Sequence, residues 1–391
     1  MNVFFSRTTW MTGLAIFSMF FGAGNVVFPL VLGQMAGDQI FAALPGLLLT
    51  SIGGPLFGLF GTILYKGDYK AFFSRTGRIP GYLLMLVCAG LLGPFAVMPR
   101  CVVLTYASFQ PYFPELSLFS FSILFGIVAL ACTVKRDTIL SLLGGFLSPV
   151  LLGSLALIIY QGMNSSPRDL PSFTQNPLKP FGNGLLVGYD TMDLIASIFF
   201  AFTVWKLLRE QFQTTDIQDS RLVKQTTIAA GCLGGLFLGL IYVGLSLVAA
   251  LHSPVINDVP PESLLSTLCF HLLGPFQGDI ATLAVALACL TTVISLGVTF
   301  AEVLQKEFSQ LQISYSFAII LIMLWTTIFA NLGFSQLMSI IHPIVSVCYP
   351  AIIVLTFCNV MHKLYGWTTV KLPVFATFAV TLGLDFFNRL G

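Results

Sequence analysis

A short segment, Phe20 to Pro29, interrupts an apolar run that is otherwise long enough to cross a membrane, from about residue 10 to 32. Gly22 and Gly24 each cost a helix interior about 1 kcal/mol relative to alanine, and Pro29 cannot donate to the helical ladder. Inside a bilayer, broken backbone is tolerated only where protein buries it or where it lines a cavity. The segment therefore predicts a discontinuous first helix with free backbone groups at mid-membrane depth.

The composition supports a membrane setting. Of the 391 residues, 56% are hydrophobic and only 9% are charged, which excludes an ordinary soluble domain because such domains carry about a quarter of charged residues. A helical span needs about 20 mostly apolar residues. Eleven candidate segments meet that description, at approximately 10–32, 40–64, 80–109, 116–134, 138–160, 182–205, 226–250, 276–301, 313–332, 337–360 and 370–388. We therefore expect one integral membrane domain over residues 1–391.

The distribution of positive charge predicts the orientation. Fourteen of the eighteen lysines and arginines fall on the same side if the N-terminus is cytoplasmic, as the positive-inside rule requires. Eleven spans then leave the C-terminus outside. A cleaved signal peptide is disfavoured because the first apolar run is too long and ends in Phe-Pro-Leu rather than in small residues.

Nothing in the composition points to nucleic acid or to a transition metal. The net charge is only +2, and the eight cysteines show neither a disulfide framework nor metal-ligand spacing. We expect the lipid bilayer, a small molecule and an ion to be the partners, with no cofactor.

A second interruption falls in the sixth span, at Gly188-Tyr189-Asp190-Thr191-Met192-Asp193. If spans 1 to 5 (about 10–160) and 6 to 10 (about 182–360) are repeats, this break corresponds to the one in span 1. Paired breaks of this kind indicate the binding site of a secondary transporter. Two alternatives remain open: Asp190 could lie near the outer interface, and Asp193 could cap the second half-helix.

Span 8 carries grouped hydroxyls. Thr291 and Ser295 are four residues apart and share a helix face, and Thr292 and Ser295 are three apart. Together with carbonyls of a broken helix, these oxygens could surround a hard monovalent cation. The competing interpretation is that each hydroxyl bonds its own helix backbone.

Arg100 follows Pro99 in span 3, where the proline would kink or interrupt the helix. An intramembrane arginine usually faces the interior and pairs with carboxylates or carbonyls. We predict a structural or gating charge, paired with Asp190 or Asp193, and the alternative is an arginine that extends to an interface.

Several of these segments together resemble the branched-chain amino acid:cation symporter family of bacterial carriers. The matching segments are Phe21 to Pro29, Gly93-Pro94 with Pro99-Arg100, Gly188-Tyr189 with Thr191-Met192-Asp193, Leu290-Thr291-Thr292, Ala330-Asn331-Leu332-Gly333 and Tyr349-Pro350. They run in family order over about residues 10 to 360. The chain departs from the family pattern at Leu30, Cys101 and Ala107.

The resemblance implies an all-α polytopic protein with a LeuT-like five-plus-five inverted repeat, broken helices 1 and 6, and an extra helix at about 370–388. It implies import of leucine, isoleucine and valine with sodium as the coupling ion across the bacterial inner membrane. The implied substrate residues are Gly22, Ala23, Gly24, Asn25, Gly188, Tyr189, Thr191, Met192 and Asp193. The implied ion residues are Phe21, Gly22, Thr291, Thr292 and Ser295.

Other functions stay open. Proton coupling would use an intramembrane carboxylate, with Asp190 and Asp193 as the main candidates. A symporter for another neutral amino acid is a further alternative, and a non-transporting membrane sensor is less favoured. A membrane enzyme using His252 or His271 matches no motif of known mechanism.

Overall fold

The computed structural model describes residues 6–133, 147–165, 176–212, 219–274, 278–308, 310 and 312–390. Regular structure within these ranges is entirely helical. The α-helices are α1 (Arg7–Phe20), α2 (Ala23–Ala36), α3 (Ile40–Leu48), α4 (Gly54–Leu64), α5 (Tyr69–Ser74), α6 (Arg78–Leu92), α7 (Val97–Phe109), α8 (Leu118–Thr133), α9 (Ser148–Asn164), α10 (Leu178–Asp190), α11 (Asp193–Gln211), α12 (Asp219–Leu251), α13 (Ser253–Ile256), α14 (Leu264–Leu273), α15 (Gly278–Glu307), α16 (Tyr315–Ala330), α17 (Phe334–Tyr365) and α18 (Lys371–Leu390). A π-helical stretch, Leu49–Gly53, joins α3 to α4.

Helices lie on all of the apolar segments predicted from the sequence, although residues 138–146 of the fifth segment are outside the described ranges. Five helical stretches among the described residues are long and apolar enough to cross a bilayer, and the bent pair α10 and α11 adds a sixth. Helices α8 and α16 are shorter and also apolar. The chain is thus an all-helical polytopic membrane protein.

Three of the predicted spans are interrupted. Helix α1 ends at Phe20 and α2 begins at Ala23, so the first predicted break is present but shorter than the glycine and proline positions indicated. A second interruption separates α6 from α7 at residues 93–96. In the sixth span, α10 and α11 meet at an angle of 41° across Thr191 and Met192.

Neither Pro29 nor Pro99 marks a break, which corrects the sequence expectation. Pro29 lies inside α2, where neighbouring helices bury it and the helix continues past the one hydrogen bond that proline cannot make. Pro99 is the third residue of α7. An amide at that position has no intrahelical acceptor in any case, so proline costs little there.

The interrupted helices lie at the centre of the bundle. Helix α12 packs against α1 and α2, α10 against α3, α11 against α4, and α15 against α7. The outer helices expose large apolar side chains, such as Phe119 and Ile127 on α8 and Leu324 and Ile328 on α16. These side chains suit contact with lipid, whereas the polar groups discussed below are enclosed by protein.

The segment after α12, which lies between two of the predicted spans, is largely helical. It contains α13, a 3₁₀ turn at Pro261–Ser263, and α14. The side chain of Gln34 on α2 donates to the carbonyls of Ile256, of Asn257 at 3.1 Å and of Val259 at 3.2 Å. This loop is therefore tied to the second half of the broken first span.

Candidate functional site

The first break is closed by its own helix. The amide of Gly22 donates to the Asn25 side-chain oxygen at 3.1 Å, and the amide of Val26 bonds the Gly22 carbonyl, so α2 has a cap formed from its own first turn. Gly22 is required for space: a methyl group there would lie 2.5 Å from the Thr292 hydroxyl oxygen. Span 1 and span 8 thus come closest at the break itself.

The second break uses a different conformation. Met192 adopts a left-handed backbone with φ of 60°, and it is fully buried. The Thr191 hydroxyl donates to the Gly188 carbonyl at 2.8 Å, which closes the end of α10. Asp193 begins α11, where a carboxylate interacts favourably with the helix dipole. Met192 is the N-cap of α11 and no side-chain cap hydrogen bond occurs there, so Asp193 does not cap this helix as the alternative predicted. Its role in the site stays a prediction.

Asn25 and Asp193 connect the two breaks directly. The Asn25 amide nitrogen donates to Asp193 Oδ2 at 2.6 Å and also contacts the Tyr242 hydroxyl. Tyr242, on α12, donates to the same carboxylate oxygen at 2.9 Å. All three side chains are at least 97% buried. Asn25 therefore does more than cap its own helix: it joins span 1 to span 6 at a buried carboxylate.

The amide at the start of α11 has a further partner from outside its span. The Tyr349 hydroxyl accepts from the Leu194 amide at 3.2 Å, and the Tyr349 ring lies 4.8 Å from that of the half-buried Tyr189, centre to centre. Thr50 lies against Gly188 so closely that a methyl group at Gly188 would overlap its hydroxyl. The second break is thereby enclosed by spans 2, 7 and 10.

The hydroxyls of span 8 divide into two kinds. Thr291 donates to the Ala288 carbonyl at 2.9 Å, and Ser295 donates to the Thr292 carbonyl at 3.0 Å, as the competing interpretation anticipated. Thr292 is 3% exposed, and its hydroxyl has no hydrogen-bond partner among the described residues. It faces Gly22, so Thr292 alone of the three leaves its hydroxyl unsatisfied beside the broken backbone.

Arg100 is 1% exposed, and its environment corrects one prediction. Its Nη1 donates to the main-chain carbonyl of Asp190 at 3.1 Å and not to a carboxylate. The Asp190 carboxylate instead pairs with His342 at 3.0 Å, and the Asp193 carboxylate is engaged by Asn25 and Tyr242. Asp190 is only partly buried, and its predicted position toward an interface stays open.

The structure also brings in residues that the sequence analysis missed. Tyr242 was not singled out, Thr50 was counted only as part of a span, and Tyr349 entered only through the family resemblance. A lone tyrosine in an otherwise apolar helix is a usable signal, since a buried phenol hydroxyl normally requires a partner. No group of three or more metal-ligating side chains occurs in the described part of the chain.

Discontinuous helices with their ends joined by buried polar groups define a membrane transporter rather than an enzyme or a soluble binding protein. The comparison with known families identifies the kind of transporter. A profile described as "Branched-chain amino acid transport protein" matches residues 6–389, and the chain belongs to this family of carriers.

Characterised relatives agree with this assignment. The chain is 29% identical over 366 residues to the branched-chain amino acid permease BraB of Bacillus subtilis, covering 92% of this chain and 81% of the permease. It is 29% identical over 371 residues to the branched-chain amino acid transport system 3 carrier protein of Pseudomonas aeruginosa, covering 92% and 82%.

Solved structures show the fold. An inward-facing structure of Mhp1 superimposes with a TM-score of 0.64 at 14% identity, covering 97% of this chain and 85% of Mhp1. The structure of MhsT in complex with L-phenylalanine gives 0.57 at 16% identity, covering 99% and 98%. The chain thus shares the overall helical arrangement of LeuT-fold transporters.

Proposed function

We propose that this carrier imports leucine, isoleucine and valine together with sodium by alternating access. One observation carries the proposal: Asn25 and Tyr242 hold the Asp193 carboxylate between two broken helices, within a chain of the branched-chain amino acid carrier family. The described residues give this buried carboxylate neutral donors and no ion-pair partner, so it can pair with a cationic group. The α-ammonium of an amino acid supplies such a group.

The substrate would lie between the breaks, in contact with Gly22 to Asn25 on one side and with Gly188 to Asp193 on the other. An apolar amino acid suits this position because buried leucine, valine and phenylalanine side chains surround both breaks. The relatives named for branched-chain amino acids support the same substrate class.

The architecture that accompanies this function is eleven spans in one domain, with repeats at about 10–160 and 182–360 and an extra helix at about 370–388. Helix packing supports the repeat. In an inverted repeat, span 1 corresponds to span 6 and span 2 corresponds to span 7. A contact between spans 1 and 7 should then be matched by a contact between spans 6 and 2. Both contacts occur. Positive-inside asymmetry places the N-terminus in the cytoplasm and the C-terminus outside a bacterial inner membrane.

Sodium would bind where Thr292 faces the first break. A hydroxyl that donates a hydrogen bond still offers lone pairs, so Thr291 and Ser295 remain available as oxygen ligands beside Thr292. The carbonyls of Phe21 and Gly22 complete an all-oxygen set of the kind that hard cations prefer.

Proton coupling is the second candidate, because Asp193 is a buried carboxylate at the centre of the site. Glu302, a buried acid at the end of span 8 that the proposed orientation makes cytoplasmic, is paired with Lys206 at 2.9 Å. Asp193 would therefore be the group that takes up the proton.

Uptake of labelled isoleucine by purified protein in liposomes separates these candidates. We expect accumulation under an inward sodium gradient without a proton gradient, with leucine and valine competing. Thr292→Val should abolish the sodium dependence, whereas Thr356→Val, a buried threonine on span 10 outside the site, should not. Accumulation driven by protons alone would favour the second candidate, and failure of both gradients would refute the proposal.

A further inference from the structure

Arg100 is a buried cation with three of its five N–H groups unused. It is 1% exposed, and Nη1 alone meets protein acceptors, the Asp190 carbonyl at 3.1 Å and the Met338 sulfur at 3.6 Å. Its Nε and Nη2 have no hydrogen-bond partner among the described residues. A buried charge left without partners is strongly destabilising, so this arrangement calls for an acceptor.

The unused edge of Arg100 lies against the first break. A methyl group at Gly24 would be 3.2 Å from Nη2, which places this nitrogen beside the first turn of α2. That turn is the positive end of a 14-residue helix, and its leading amides have no intrahelical acceptor. A guanidinium and a helix N-terminus side by side repel each other unless an anion lies between them.

The contacts that hold the guanidinium in place do not involve Nε or Nη2. The Phe28 ring lies 5.5 Å from Cζ, so one face of the guanidinium is supported by a cation–π contact, which uses none of the N–H groups. The Asp190 carbonyl fixes the opposite nitrogen, Nη1. Arg100 is therefore anchored by both sides of the site, span 1 through Phe28 and span 6 through Asp190.

No carboxylate among the described residues pairs with this edge of Arg100. Asp190 pairs with His342, and Asp193 is bound by Asn25 and Tyr242. The described residues show no ion pair between Arg100 and an acidic side chain. The missing anion must then come from outside the chain.

We propose that Arg100 is a substrate-binding residue, whose Nε and Nη2 bind the α-carboxylate of the amino acid together with the leading amides of α2. This inference rests on the proposed function and assigns Arg100 a direct role in place of a structural or gating charge. The edge formed by Nε and Nη2 matches the two oxygens of a carboxylate. Arg100 and Asp193 then provide one cation and one anion for the two charges of a zwitterion.

The test compares leucine with leucinamide, which keeps the ammonium and the side chain but lacks the negative charge. Binding is measured by scintillation proximity on purified protein in sodium buffer, with labelled leucine and with leucinamide as competitor. The wild type should prefer leucine by about tenfold to hundredfold, the range expected for hydrogen bonds to charged groups. In Arg100→Gln, leucine should bind about 100-fold more weakly while leucinamide changes less than threefold.

Two further variants control for folding. Arg100→Lys keeps the positive charge but lacks the paired Nε and Nη2 donors. Leucine binding should therefore weaken about tenfold, and leucinamide binding should not change. Met338→Leu removes the other Nη1 contact and should leave both ligands within about threefold. Gel filtration and thermal unfolding verify that each variant is folded.

Equal weakening of leucine and leucinamide in both Arg100 variants would assign Arg100 to a structural role and overturn this inference. Unchanged leucine binding in Arg100→Gln would overturn it as well, with the proposed function intact. If the wild type binds no leucine, isoleucine or valine, the proposed function itself fails, and the inference fails with it.

Discussion

The two helix breaks are stabilised in different ways. The break in span 1 depends on an absent side chain, Gly22, and is closed by Asn25 of the same helix. The break in span 6 contains a buried methionine in a left-handed conformation, and the amide and carboxylate that follow it are held by Tyr349, Tyr242 and Asn25 from other spans. The first break is locally determined, whereas the second depends on tertiary contacts.

This difference bears on how the protein could move. A break capped by its own first turn can shift as a rigid unit with α2. The second break must respond when its partners move, because three other spans provide its hydrogen bonds. Asn25 connects the two, so displacement of span 1 reaches Asp193 directly through a hydrogen bond of 2.6 Å and indirectly through the contact of Asn25 with Tyr242.

The largest expected effect is at the charge of the second break. Asp193→Asn keeps the shape and removes the buried negative charge that would meet the substrate ammonium, so branched-chain amino acid uptake in liposomes should fall by more than about 100-fold. The matched control is Asp190→Asn, three residues earlier. Asp190 is only partly buried and its partner His342 is exposed, so we expect less than a threefold change.

The comparison would be reversed by the opposite ranking. If Asp190→Asn abolished uptake and Asp193→Asn did not, the functional carboxylate would be the one near the interface. The link between the two breaks would then be structural, and Tyr242 would serve packing rather than the site.

Much of the fold follows from the sequence, and the two breaks show why. Glycines in an apolar run and carboxylates in another are costly in lipid, so Gly22 and Asp193 identified both breaks without any structure. Apolar length located the helices, and positive charge predicted their orientation. These signals are local, since each depends on residues within one span.

The rest depends on contacts between spans, which the sequence does not display. The sequence indicates that Tyr242 needs a partner but not that the partner is Asp193 of another span. The acceptor of Arg100 was predicted as a carboxylate, whereas the structure provides a carbonyl. Pro29 was weighted as a helix breaker because its cost was considered without the neighbours that bury it. The sequence therefore located both breaks but did not show the contacts between spans that hold them.

A smaller effect is expected from steric crowding at the first break. Gly22→Ala would place a methyl group 2.5 Å from the Thr292 hydroxyl oxygen and 2.8 Å from its methyl group, so span 1 and span 8 must separate. Displacement of a binding group by a fraction of an ångström lowers activity strongly, and we expect about a tenfold loss of sodium-driven uptake.

Gly153→Ala is the matched control for this substitution, because a methyl group there meets nothing within 4 Å. It should transport like the wild type. Normal uptake by Gly22→Ala, with an unchanged sodium requirement, would show that the close approach of the first break to Thr292 has no part in transport.

The smallest expected effect tests the left-handed conformation of the second break. What is tested is whether the glycine or the alanine variant unfolds at the higher temperature. Within a helix, alanine is more stable than glycine by about 1 kcal/mol. At Met192, with φ of 60°, an L-residue instead carries a penalty of about 1–2 kcal/mol that glycine avoids. Met192→Gly should therefore unfold at a temperature equal to or above that of Met192→Ala.

The same pair of substitutions at Ile198, a fully buried residue within α11, should show the ordinary order, with alanine the more stable. Apparent unfolding midpoints of the four variants, measured by intrinsic fluorescence in one detergent, provide the comparison. Both variants at a position lose a large buried side chain, so the stability lost with that side chain is nearly the same for the two. The difference between their unfolding midpoints then reports the backbone preference of glycine against alanine. If alanine exceeds glycine by the same margin at both positions, the second break is not left-handed, and the contrast between a local and a tertiary break loses its structural basis.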